Sequence, residues 1–105
     1  MKKLICALLF LAFSNIWAGG FKDGNSLYAS MTSKNVHEKE YALGYVIGVA
    51  DTNSGVLYNL PNSITAGQIS DVVEKYLENY PEKRHYLASS LVEDALIKVF
   101  PKSPK

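Results

Sequence analysis

Apolar side chains recur every three or four positions along most of this chain, the spacing that puts them on one face of an α-helix. Four segments carry that pattern. In "FKDGNSLYASMTS", Asp23 or Asn25 can cap a short helix with Leu27, Tyr28 and Met31 on one side. "VHEKEYALGYVIGVADT" opens on charges and then spaces Ala42, Tyr45, Val46 and Val49 helically. In "TAGQISDVVEKYLENY", Thr65 and Gln68 form a capping box, and Ile69, Val72, Val73, Tyr76, Leu77 and Tyr80 fall on one face. The last, "PEKRHYLASSLVEDALIKVF", starts at Pro81, suited to a first helical position, and repeats apolar pairs at Leu87/Ala88, Leu91/Val92, Ala95/Leu96 and Val99/Phe100. No run alternates with period two for long enough to be a strand. The pattern predicts an all-α fold, a compact bundle of about four helices in a single domain.

Two features interrupt this regularity. Gly44 and Gly48 sit inside the second segment, where each costs a helix roughly 0.5 to 1 kcal/mol relative to alanine. They share one side of the helix, so close packing of another helix against them is the expected offset. After them, "DTNSGVLYNLPNSI" has no clear period and mixes turn formers with Val56, Leu57, Tyr58 and Leu60. These apolar residues either fold back onto the core or face a partner. Asp51, near the helix C-terminus, is disfavoured there by the helix dipole and is expected to cap nearby backbone.

The first 18 residues obey a different logic. Lys2 and Lys3 precede an unbroken apolar run over 4–13, and "SNIWA" ends it on a small residue. This is the pattern of a secretory signal peptide, residues 1–18, cleaved after Ala18 to leave a helical domain over 19–105. The run is too short to cross a bilayer comfortably, so no membrane association is expected after cleavage. Losing Lys2 and Lys3 reduces the 11 basic residues to nine, against ten acidic ones, a formal charge of minus one. With no basic stripe, nucleic acid is not an expected partner. Cys6, the one cysteine, lies in the leader. The exported domain therefore has no disulfide and must rely on packing or on a second subunit.

Candidate chemistry is sparse. An EF-hand loop needs glycine sixth and glutamate twelfth; counted from Asp51, Gly55 is fifth and Asn62 twelfth. His37 and His85, each with a glutamate three residues away, lack the further local ligands of a metal site. No G-x-S-x-G marks a serine nucleophile. The expectation is a protein that is not an enzyme and uses no cofactor or metal. The seven tyrosines say more, because tyrosine fills cores and is also enriched in interfaces. Tyr76 reads as core, whereas Tyr58 and Tyr86 fit either role.

Taken in order, "DGNSLY", "GYVIGVAD", "LPNSITAGQISDVVEKYLENYPEKRHYLASSLVEDAL" and "VFP" resemble the Rap/Tai family of periplasmic immunity proteins over nearly the whole domain. The resemblance implies a small helical protein, often a homodimer, exported to the periplasm. There it would bind a secreted peptidoglycan amidase effector of type VI secretion and occlude its active-site cleft. On this chain the expected contacts are Asn53, Val56, Leu57 and Tyr58 in the loop, with Tyr80, Lys83 and Tyr86 at the "ENYPEKRHY" corner. The sequence departs from the family where members usually carry cysteines: those places hold Ser30 or Met31, Ala42, Asn59 and Lys102. The alternative function is a small periplasmic structural or chaperone-like helical protein without a dedicated toxin.

Overall fold

Three of the four helix starts follow caps that the sequence supplies, in a computed structural model that describes residues 20–102. The expected leader, residues 1–18, lies outside those residues. Helix α1, Gly24–Met31, begins at Asp23, whose carboxylate accepts the Ser26 N–H at 2.9 Å while the Ser26 hydroxyl lies 3.3 Å from the Asp23 N–H. Helix α2, Val36–Asn53, is capped by Asn35, which accepts the N–H groups of His37 and Glu38. Helix α3, Ala66–Asn79, has the expected capping box, with Thr65 and Gln68 exchanging bonds of 3.1 and 2.9 Å. Helix α4, Ala88–Val99, completes the bundle.

All four helices contribute to one core, and each packs on the other three. Leu27 and Met31 come from α1, Ile69, Val73, Tyr76 and Leu77 from α3, and Ala88, Leu91, Val92, Ala95 and Leu96 from α4. These are largely the positions that the periodicity places inside. The fold is all-α, as expected.

Two expectations are corrected. The last helix starts at Ala88 and not at Pro81, which instead opens a 3-10 turn, Pro81–Lys83. The carbonyls of Arg84 and Tyr86 accept the N–H groups of Asn25 and Gly24, at 2.9 and 3.1 Å. They satisfy the open N-terminus of α1 and so are taken from any helical ladder through 84–90. The second correction concerns Gly44 and Gly48. The buried stripe of α2 is Ala42, Val46 and Ala50; the glycines lie two positions further along, about 200° around the helix. A Cβ at either would meet nothing within 4 Å. Close approach to α2 is provided by Ala42 and Ala50, both 0% exposed. The glycine that packing does require is Gly24: a Cβ there would run into Leu91 Cδ1 and come within 2.9 Å of the Arg84 carbonyl oxygen.

Candidate functional site

The loop after α2 is a tight turn pinned by one aromatic ring. Gly55 takes a left-handed φ of +84°, a conformation that favours glycine, and its N–H binds the Tyr58 carbonyl at 2.7 Å. The Asn53 carbonyl accepts the N–H groups of Val56 and Leu57, both at 3.0 Å. Tyr58 is 0% exposed, and its hydroxyl donates to the Ala50 carbonyl at 2.8 Å. Burial, with Glu93 and Asp51 nearby, raises its pKa above the usual 10.0. The expectation of Tyr58 as a contact residue is thereby corrected. A phenol with its ring in the core and its proton on a helix carbonyl is an anchor, not a surface.

The four apolar loop residues divide between the two roles left open. Tyr58 and Leu60 fold back onto the core, while Val56 and Leu57 project outward, 61% and 38% exposed. Asn53 is half-buried and holds the turn from below, its amide donating to the Glu93 carboxylate at 2.6 Å. Asp51 stays exposed; the Asn53 carbonyl, not the Asp51 carboxylate, closes the turn that follows the helix.

The corner between α3 and α4 is built the other way round. Its backbone is fixed by the bonds to Gly24 and Asn25, and the Arg84 guanidinium donates to the Leu77 carbonyl at 2.7 Å while lying 4.1 Å over the Tyr28 ring. With the backbone so held, aromatic side chains face outward. Tyr86 is half-exposed and packs at a tilt against His85, ring centroids 4.3 Å apart, and Leu87 is exposed beside it. Tyr80 is half-buried, packed at 4.8 Å on Tyr76, with the Lys83 ammonium 4.8 Å from its ring centroid.

The loop and the corner sit at opposite ends of α4. The corner runs directly into Ala88, and the loop is tied beyond the other end by the Asn59 N–H to the Phe100 carbonyl at 3.0 Å. The 12 residues of α4 separate them by about 18 Å. His37 and His85 are exposed, and the described residues contain no group of three or more His, Cys, Asp or Glu able to hold a metal ion. Among those residues no helix is long and apolar enough to cross a membrane.

A sequence profile of the Rap1a immunity proteins matches residues 23–101, nearly the whole described structure. This chain belongs to the Rap1a immunity protein family. No curated protein matches it. Membership makes it an immunity protein toward a secreted effector of a type VI system, a family that is generally non-enzymatic. The resemblance leads to an expectation of family cysteine places at Ser30 or Met31, Ala42, Asn59 and Lys102. Met31 and Ala42 are buried in the core, and Asn59 is held by its bond to Phe100. Two site features were missed in the sequence. Arg84 stacks on a tyrosine 56 residues away in the chain, and Gly24 looks like ordinary turn punctuation beside Asp23. Neither carries a periodic signal.

Proposed function

We propose that this Rap1a protein is exported to the periplasm and blocks a peptidoglycan amidase toxin by inserting the 54–58 turn into its active-site cleft. The observation that carries this reading is the turn itself: two exposed apolar side chains, Val56 and Leu57, at the apex of a backbone pinned by buried Tyr58. A convex apolar feature that is already ordered loses little conformational entropy on entering a concave cleft. The corner residues Tyr80, Lys83 and Tyr86 form the second contact, and half-exposed aromatics next to cations are common anchors in interfaces. The leader over 1–18 delivers the protein; intact mass of the periplasmic chain, beginning at Gly19, checks it. Dimerisation supplies stability that disulfides do not, so the melting temperature should fall on dilution.

The test of occlusion is inhibition, by Val56→Asp/Leu57→Asp, of a peptidoglycan amidase that the parent protein is found to bind. Both side chains point to solvent, so the melt should be unchanged while inhibition falls by at least tenfold, as a loss of about 1.4 kcal/mol or more dictates. A folded double variant that inhibits as well as the parent overturns insertion of this turn.

A further inference from the structure

Beside the corner, the seam of α3 and α4 holds a groove of about 240 Å³. Its floor is apolar: Val72 and Tyr76 from α3, Ala95 and the half-exposed Val99 from α4. Lys75 and Lys98 stand at its sides, and no carboxylate lines it. The Tyr80 ring closes one end, with the Lys98 ammonium 5.8 Å and the Lys83 ammonium 4.8 Å from its centroid. In a domain whose exported form carries more acidic than basic residues, three of the nine basic side chains gather here around one apolar slot. Such a slot is complementary to a carboxylate-bearing chain with one apolar side chain to bury.

We infer that this groove binds an acidic polypeptide segment of the effector, seating one apolar side chain on Val72, Tyr76 and Val99 while Lys75, Lys83 and Lys98 face its carboxylates. On the effector this rests on the partner-binding reading above and names the chemistry of the second contact. Tyr80 belongs both to the corner and to the groove, and Lys83 of the corner sits over its ring, which makes the contact continuous from the corner along the seam of α3 and α4.

The test uses a fluorescein-labelled nonapeptide of aspartates and glutamates around a central phenylalanine, with a counterpart carrying lysines in place of the acids. Amide chemical shifts of the whole exported protein should move at Val72, Tyr80 and Val99 with the acidic peptide and stay put with the basic one. Lys75→Glu/Lys98→Glu should weaken acidic-peptide binding at least tenfold, and Lys22→Glu/Lys34→Glu, the same charge change on other exposed lysines, should leave it within about twofold. Equal binding of both peptides, shifts elsewhere, or unaltered binding by Lys75→Glu/Lys98→Glu overturns the groove. Inhibition of the candidate amidase separates the two ideas. If the parent protein does not inhibit it, the amidase reading falls while peptide binding still judges the groove. If the parent inhibits and Lys75→Glu/Lys98→Glu inhibits equally, the groove is not a contact on the effector.

Discussion

The two ends of helix α4 present side chains to solvent by opposite means. At the loop end an aromatic ring is turned inward: Tyr58 is buried, and the large apolar residues left outside, Val56 and Leu57, are aliphatic. At the corner end the backbone is secured by bonds to α1 and by Arg84, so the aromatic Tyr86 can point outward. A ring spent on holding a loop cannot also bind a partner; where main-chain bonds hold the segment, the ring is released. This difference puts the ring that holds the fold at one end and the exposed ring at the other.

Truncating the anchor should break the comparison most severely. Tyr58→Ala removes a fully buried aromatic, and such losses cost about 3 to 5 kcal/mol. A urea melt should show it, while Tyr86→Ala at the other end should change stability by no more than about 0.5 kcal/mol. Equal effects at both ends would erase the distinction between anchor and surface.

Next in size is Gly24→Ala, which tests the backbone seam at the corner. The added methyl group meets Leu91 and the Arg84 carbonyl, and overpacking of this kind costs about 1 to 3 kcal/mol. A melting temperature equal to the parent's would show that the approach of α1 to the corner is not tight.

The ends should also fail at opposite extremes of pH. Burial raises the Tyr58 pKa above its unfolded value of 10.0, so its contribution is complete below pH 10 and is lost as pH rises past that value. Near the corner, the Ser26 N–H lowers the Asp23 pKa below 3.8, so that contribution is present above pH 3.8 and is lost as pH falls through the depressed value. Melting temperature against pH should therefore lose part of its alkaline decline in Tyr58→Phe and part of its acid decline in Asp23→Asn. The phenylalanine variant should also lose about 1 kcal/mol at neutral pH, with the hydroxyl's bond to Ala50. Titration curves parallel to the parent's would contradict both assignments.

The smallest effect has the opposite sign. Gly48→Ala places a methyl group in open space on α2 and should stabilise the helix by about 0.5 to 1 kcal/mol. The sequence suggested the reverse, because two glycines four apart look like a packing seam when the rotational position of the buried stripe is unknown. The same ignorance hides Gly24, whose need for a missing side chain arises from Leu91 far along the chain. Local signals were far more legible. Thr65 and Gln68 cap α3 through contacts three residues apart, and the apolar face of that helix follows from period alone. Pro81 misled because the carbonyls of Arg84 and Tyr86 are claimed by α1, a competition no local pattern records. In the loop the residue types were informative but their direction was not. Val56, Leu57 and Tyr58 are consecutive apolar residues, and only the turn at Gly55 decides which of them faces inward.

Hydrogen exchange of the protein alone and bound to its secreted effector tests the central claim most directly. The account predicts that binding slows exchange in peptides covering 54–60 and 80–87, the two ends of α4, and leaves 36–50 of α2 unchanged. Slowing confined to α2, with both ends exchanging as in the free protein, would contradict it.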